Sequence, residues 1–130
     1  MTSNPADMMP FSKLMGVVVT DAAKDSVKGE LAVTPELCTA GGIMHGGAVM
    51  AFADALGGIG AFLNLPEGAT GTTTIESKTN FLGATKHGQK VYGEATPVSV
   101  GRRISVWQTK ISREDGKQVA LVTQSQLVLA

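Results

Sequence analysis

The second half of the chain alternates apolar and polar residues with a period of two. After Gly68 this pattern runs through four successive segments, TTTIESKTNFLG, QKVYGEATPVSV, RRISVWQTKISRE and QVALVTQSQLVLA. A period of two is typical of β-strands with one buried face. In the last segment Val119 and three leucines occupy one face, whereas Gln124 and Gln126 occupy the other. We therefore predict four consecutive antiparallel strands.

The first half of the chain predicts two strands and one long helix. Two short β-branched runs, GVVVTDAA and VKGELAVT, flank the polar cluster Lys24-Asp25-Ser26, which predicts a hairpin. An apolar segment rich in alanine, methionine and leucine then extends from about Gly46 to Leu65, before Pro66. This composition favours a helix that ends at the proline. Residues 1–15 are expected to be a loosely attached N-terminal segment that includes a helical turn packed on the body.

The order of these elements predicts the fold class. Two strands, one long helix and four strands follow one another, and the connections after the helix are too short for parallel crossovers. The sequence therefore predicts an α+β fold, with one long central helix wrapped by a curved antiparallel sheet of about six strands. We expect residues 1–130 to form a single domain.

Composition and charge narrow the classes of partner. The chain has 11 basic and 11 acidic residues, and a formal net charge of zero, so no basic face for nucleic acid is indicated. Asp54 and several glycines interrupt the apolar helix, which argues against a membrane span. One cysteine and two histidines, without ligand spacing, predict no metal site. Together with an N-terminus unlike a signal peptide, these features predict a cytoplasmic protein.

The stretch HGGAVMAFADALGG carries the most distinctive chemistry. His45 precedes Gly46 and Gly47 at the start of the helix, where free N–H groups and the positive end of the helix dipole can receive a carbonyl oxygen. Asp54 is a lone carboxylate in the middle of the same helix. Two simpler alternatives stay open: the glycines form only a tight turn, or Asp54 is a structural acid bonded to its neighbours.

The run GGIMHGGAVMAFADALGG, followed by TIESKTNFLGA and VSVGRRISV, resembles a known family. It is similar to the hotdog-fold acyl-CoA thioesterases of the phenylacetic-acid-degradation (PaaI) type, relatives of 4-hydroxybenzoyl-CoA thioesterase. The resemblance covers about residues 35–125. It implies a hotdog fold and the hydrolysis of an acyl or aryl-acyl CoA thioester to a free acid and CoA. CoA would be part of the substrate, and no cofactor is implied.

The resemblance also implies roles for individual residues. Asp54 would be the nucleophile or the general base, and the N–H of Gly46 would polarise the thioester carbonyl. His45 would support the loop or lie beside the substrate. A hydroxyl on the strand after the helix would contact the attacking water, and Thr74 matches this position best, followed by Thr73.

Further positions match substrate-binding segments of the family. Gly101, Arg102 and Arg103 correspond to a stretch that lies near the CoA pantetheine or phosphates. Because neighbouring residues of a strand alternate faces, only one of the two arginines could reach a given phosphate, and both could equally lie on a solvated edge. Thr39 stands where many members have Asn or Gln, and Gly83-Ala84 stands where many have Arg-Pro.

The spacing of Asp54 and Gly46 predicts a dimer. Eight residues separate them, or roughly 12 Å along a helix axis, so one chain cannot bring both to the same carbonyl. Two antiparallel helices across a twofold axis would place the Asp54 of each chain beside the Gly46 of the other. The helix face that carries Asp54 would then meet the partner. Its other members are Gly47, Met50, Gly58 and Ala61.

Other functions and assemblies stay open at this stage. A hydratase or dehydratase acting on acyl thioesters could use the same fold, and a catalytically idle acyl-CoA-binding module is a third alternative. The dimer is expected to pair further into a homotetramer. The acyl group is not defined, because the candidate apolar residues could line an aryl pocket, line an aliphatic pocket or belong to the core. These residues are Met50, Phe52, Phe62, Phe81 and Leu82.

Overall fold

A computed structural model describes residues 4–130. The two α-helices are α1 (Pro10–Met15) and α2 (Gly46–Leu63). The six strands are β1 (Val18–Ala23), β2 (Ser26–Ala32), β3 (Gly71–Phe81), β4 (Lys90–Val100), β5 (Ile104–Arg113) and β6 (Gln118–Leu129). Short 3-10 turns occupy Pro5–Met8 and Pro35–Leu37.

The strands form one antiparallel sheet in the order β1-β2-β4-β5-β6-β3. Helix α2 contacts all six strands, so the sheet curves around it. The side chains of Phe52, Leu56 and Trp107 are completely buried between the helix and the sheet. This arrangement confirms the predicted α+β hotdog fold, with β1 and β3 as its two edge strands.

Helix α2 has defined caps at both ends. The Gly47 N–H donates to Nδ1 of His45, at 2.8 Å, which satisfies one of the free amides of the first turn. The helix ends at Leu63, two residues before the predicted Leu65, because the Asn64 side chain donates to the carbonyl oxygen of Gly60 at 2.8 Å. By length and composition α2 could cross a membrane, as many core helices could, but here it packs on the sheet.

The inner face of β6 differs from the usual apolar pattern. Gln124 and Gln126 point toward α2 and are each 1% exposed, whereas Leu129 is 40% exposed and Leu121 and Leu127 are half-buried. The two faces of this strand were predicted correctly. The expectation that the leucines would form the buried face is wrong, since the glutamines lie inside.

Residues 4–15 of the N-terminal segment pack on the body of the protein, and α1 is the helical turn that was expected there. The Asn4 side chain donates to the carbonyl oxygen of Val17 at 2.8 Å and accepts from the Val19 N–H at 3.0 Å. Ala6 and Met15 are buried in the core. Residues 1–3 of the predicted segment lie outside the described part of the chain.

Candidate active site

The start of α2 presents a free backbone amide. The His45 N–H donates to the Leu37 carbonyl oxygen at 2.7 Å, which holds the loop before the helix. Because the His45 Nδ1 accepts from Gly47, the imidazole proton is assigned to Nε2. The Gly46 N–H is at the first helical position and has no acceptor within residues 4–130. It is therefore available to a carbonyl oxygen from outside the chain.

Gly46 lies directly against an aromatic ring of β3. A Cβ atom at this position would be 3.1 Å from Cζ of Phe81, so a side chain would have to displace the ring. Phe81 is itself 55% exposed. The absence of a side chain at Gly46 thus keeps the amide and the Phe81 ring close to each other at the surface.

Asp54 lies on the part of α2 that the sheet leaves open. Its side chain is exposed, yet its Oδ1 accepts two hydrogen bonds, from Oγ1 of Thr74 at 2.6 Å and from Nε2 of Gln124 at 3.2 Å. Oδ2 accepts no hydrogen bond from residues 4–130. One carboxylate oxygen is therefore held by two donors, and the other has no hydrogen-bond donor among residues 4–130.

The two candidate threonines of β3 have different surroundings. Thr74 faces α2 and bonds to Asp54, whereas Thr73 is exposed on the opposite face of the strand. The register of β3 against β6 shifts between Thr74 and Glu76. Of the two, only Thr74 is brought to the carboxylate.

Gln126 and Thr72 continue the hydrogen bonds of Asp54 and Thr74 further along the sheet. Nε2 of Gln126 donates to Oγ1 of Thr74 at 2.5 Å, and the Thr72 hydroxyl donates to Oε1 of Gln126 at 2.9 Å. Sequence reasoning placed Gln124 and Gln126 on one face of β6 but gave them no functional part. Two glutamines two residues apart on the same face of β6 were the signal that could have drawn attention to them.

Arg102 and Arg103 do not lie on a strand as predicted. Strand β4 ends at Val100 and β5 begins at Ile104, so both arginines belong to the intervening turn, and both are exposed. The turn is tight because the Gly101 N–H donates to the carbonyl oxygen of Ile104 at 2.9 Å, and a Cβ at residue 101 would be 2.8 Å from that oxygen. The expected alternation of the arginines between two faces is therefore wrong.

The arginines line a shallow groove of about 620 Å³ beyond the C-terminal end of α2, which also includes residues 66–69. Within one chain they are thus on the far side of Asp54 from Gly46. A second open groove, of about 770 Å³, lies beside His45 and Gly47 at the opposite end of the helix. Its apolar lining includes Phe11, Leu14 and Leu37.

Thr39 lies near the start of α2 but has no bond to the candidate catalytic residues. Its N–H donates to the Ile43 carbonyl oxygen at 2.8 Å, and its own carbonyl accepts from Gly42 at 3.0 Å, which closes a tight turn. The Thr39 side chain is exposed. Gly83, at the other departure from the family pattern, contacts β6 so closely that a Cβ would be 2.6 Å from the Gln118 carbonyl oxygen.

The candidate residues therefore form three separate groups within one chain. His45, Gly46 and Gly47 cap the start of α2, Asp54 and Thr74 meet at its middle, and the arginine turn lies beyond its end. Across residues 4–130, no three His, Cys, Asp or Glu side chains gather in a way that could hold a metal ion.

Comparisons with known proteins agree with this architecture. The family model described as "Thioesterase superfamily" matches residues 41–120. The 1,4-dihydroxy-2-naphthoyl-CoA thioesterase 2 of Arabidopsis thaliana is 30% identical over 99 residues, which cover 76% of this chain and 62% of that protein.

Solved structures share the fold of this chain. A thioesterase of Haemophilus influenzae superposes with a TM-score of 0.85 at 25% identity, covering 99% of this chain and 92% of that one. The PaaI protein of Escherichia coli, from the phenylacetic acid degradation operon, superposes with a TM-score of 0.87 at 16% identity, covering 95% of this chain and 87% of that one. The latter comparison concerns the fold alone.

Proposed function

Because the chain belongs to the thioesterase superfamily and is a thioester hydrolase, we propose that it hydrolyses acyl-CoA thioesters to free acid and CoA at a site shared by two copies. The observation that carries this proposal is the Asp54 carboxylate, held through one oxygen on the open face of α2. The CoA thioester named for the Arabidopsis relative supports the substrate class.

The two halves of the reaction use different groups. The Gly46 N–H, at the positive end of the helix dipole, would polarise the thioester carbonyl and stabilise the oxyanion that forms as the carbonyl carbon is attacked. Asp54 would remove a proton from water, which then attacks, or would attack through Oδ2 itself to form an anhydride that water hydrolyses. In either case the C–S bond breaks, and the CoA sulfur leaves and takes up a proton. This chemistry requires no metal or redox cofactor.

A second copy of the chain is needed because Gly46 and Asp54 lie on the same rigid helix, roughly 12 Å apart along its axis. The face of α2 that the sheet leaves open supports such a dimer. Gly47 and Asp54 are exposed, and a Cβ at Gly58 would meet nothing within 4 Å. Antiparallel packing of two such faces would bring each Asp54 to the Gly46 of the partner.

The edge of the sheet supports the same assembly. Strand β3 is 11 residues long and, within residues 4–130, has no neighbouring strand on its outer side. Ile75 and Phe81 are more than half exposed along it. A long unpaired edge of this kind is seldom left open, because it can pair with another chain. We propose that two β3 edges meet at the twofold axis, and that the dimers pair further into a tetramer.

The antiparallel arrangement also gives the arginine turn a function. Arg102 and Arg103 lie beyond the C-terminal end of α2, so the twofold axis would bring them toward the end of the partner helix where Gly46 polarises the thioester. There either guanidinium could pair with a CoA phosphate, which arginine binds well through its planar set of donors. Thr74 would hold Asp54 and contact the attacking water.

The experiment is a panel of acyl-CoA and aryl-acyl-CoA substrates with a thiol-reactive dye that reports free CoA. The parent protein should release CoA, and Asp54→Asn should lower kcat by about 100-fold or more, the usual contribution of a general base. Circular dichroism would show that the variant remains folded. Binding without CoA release would support an acyl-CoA-binding module. A loss of the absorbance of an enoyl-CoA substrate would support a hydratase. Equal turnover by Asp54→Asn would contradict the role of the carboxylate.

A further inference from the structure

A continuous chain of hydrogen bonds runs from the interior to Asp54. Its members, in order, are Thr72 of β3, Gln126 of β6, Thr74 of β3 and Asp54 of α2. Gln124 of β6 donates to Asp54 separately. Both glutamines are 1% exposed. A buried amide is costly to place in a protein core unless its donors and acceptors are used, so the partners of these two amides require an explanation.

The direction of each bond follows from the charge at the end of the chain. An ionised carboxylate only accepts, so the proton between Asp54 Oδ1 and Thr74 Oγ1 must come from the threonine. A hydroxyl has one proton, and therefore the neighbouring Gln126 must donate to Thr74 through Nε2. Oε1 of Gln126 then faces Thr72, whose hydroxyl donates to it. Every proton in the chain points toward the carboxylate.

Gln124 is held in place by the helix itself. Its Nε2 donates to Asp54 Oδ1, while its Oε1 is buried without a hydrogen-bond partner among the described residues. The amide packs against Gly57, where a Cβ would lie 2.1 Å from Oε1 and 2.5 Å from Cδ. Only a glycine at residue 57 leaves space for this side chain, and its bond to the carboxylate offsets part of the cost of the unpaired oxygen.

We propose that Gln124, Gln126 and Thr72 are positioning residues that aim two donors at Oδ1 of Asp54 and thereby leave Oδ2 as the reacting oxygen. The proposal rests on the function assigned to Asp54 above. With Oδ1 fixed by Thr74 and Gln124, the carboxylate cannot rotate freely, so Oδ2 is kept toward the open face of α2. Reactive groups held in a single orientation gain rate without additional substrate binding.

The first experiment measures kcat and KM separately for matched pairs of variants. Thr72→Val removes the hydroxyl without changing the shape of the side chain, and Thr72→Ser retains it. Gln124→Leu and Gln126→Leu remove the amides. Gln108→Leu is the control, since among the described residues the Gln108 side chain bonds only to Thr123, on the outer face of the sheet. We expect kcat to fall about tenfold in the Val and Leu variants at 72, 124 and 126, with KM nearly unchanged. The serine variant should recover most of kcat.

The second experiment uses Gly57. Alanine is the better helix former, so Gly57→Ala should not weaken α2 itself, but its methyl group would push the Gln124 amide away from Asp54. We expect its kcat to fall about as much as in Gln124→Leu. In a Gln124→Ala background, where the amide is already absent, Gly57→Ala should cause no further loss.

The outcomes separate this inference from the proposed function. If the variants at Thr72, Gln124 and Gln126 keep the parent kcat while Asp54→Asn is inactive, the positioning role is wrong and the function of Asp54 stands. A loss of kcat in Thr72→Ser equal to that in Thr72→Val would also overturn the positioning role. So would a further loss of kcat when Gly57→Ala is added to the Gln124→Ala background. If Asp54→Asn itself remains active, the proposed function fails first.

Discussion

His45 shows how one side chain can cap a helix while the neighbouring backbone amide has no acceptor among residues 4–130. Its Nδ1 accepts from the Gly47 N–H, and its own N–H is bonded to Leu37. The adjacent Gly46 N–H is therefore left free and directed outward along the helix axis. On this geometry the imidazole is an N-cap, and only its Nε2–H remains for contact with a substrate.

This interpretation gives a prediction for two substitutions at residue 45. Asparagine is among the best N-cap residues, so His45→Asn should retain both the free energy of unfolding and most of kcat/KM. His45→Ala removes the cap and should lower the free energy of unfolding by about 1 kcal/mol. Urea denaturation at one fixed protein concentration, together with the CoA-release assay, measures both effects. A stable but inactive His45→Asn would instead assign the imidazole a direct part in substrate binding or proton transfer.

Gln124 and Gln126 could be noticed in the sequence, but their bonds to Asp54 and Thr74 could not be predicted from it. A period of two separates the faces of a strand, but it does not identify the face that meets the helix. Apolar content suggested the leucine face of β6, whereas the buried face carries Gln124 and Gln126 because Asp54 and Thr74 provide them with partners. Such partners come from elements distant in sequence.

Helix α2 is fitted to the sheet by glycines at its inner face. Three glycines, Gly57, Gly58 and Gly60, lie close together in the second half of α2. Two of them face the sheet, since a Cβ at Gly60 would lie 2.6 Å from the Trp107 ring and one at Gly57 would overlap Gln124. Of the three, only Gly58 lies on the open face.

The contact between Gly60 and Trp107 can be tested by a double-mutant cycle. Gly60→Ala should lower the free energy of unfolding by about 1–2 kcal/mol, because the strain of an overpacked core exceeds the gain in helix propensity. In a Trp107→Phe background the smaller ring leaves space for the methyl group, so the same substitution should cost less. Urea unfolding of the four proteins measures the coupling. An equal cost in both backgrounds would show that the indole ring does not set the requirement for glycine.

The order of the helix and strands could be predicted from the sequence more accurately than the residues at which they end. All six strands and α2 were identified from the sequence: β1 and β2 from their β-branched runs, β3 to β6 from a period of two, and α2 from the helical composition of residues 46–65. The tight contact at Gly101 ended β4 before the arginines, and the Asn64 cap ended α2 two residues early. These boundaries depend on individual hydrogen bonds, which hydrophobic periodicity does not report.

At the scale of the whole molecule, the family resemblance stated from the helix motif is confirmed by the match to the thioesterase superfamily and by the superposition on PaaI. Gly46 and Asp54 lie too far apart on one helix to act on the same carbonyl, so the candidate site depends on how copies of the chain assemble. On the proposed function, a chain that carries its acid at Asp54 and its amide donor at Gly46, eight residues apart on α2, would contain two half-sites. A second copy of the chain would complete both of them.

Subunit complementation tests this arrangement directly. Asp54→Asn removes the acid, and Gly46→Pro removes the amide donor. Proline is well tolerated at the first position of a helix, and the extended backbone of His45 (φ −65°, ψ 138°) is compatible with a proline after it. Each variant alone should be inactive. In a dimer of one copy of each, one of the two sites combines both defects, while the other has an intact Asp54 and an intact Gly46.

An equal mixture of the two variants, co-expressed or refolded together, should therefore recover about a quarter of the parent activity, since half of the dimers are mixed and each has one working site. Mixing the folded proteins without exchange of subunits is the control and should recover nothing. A Gly46→Ala variant, which keeps the N–H but contacts Phe81, separates loss of the donor from displacement of the ring. Absence of recovery in mixed dimers identified by mass spectrometry would place both groups of each site in a single chain.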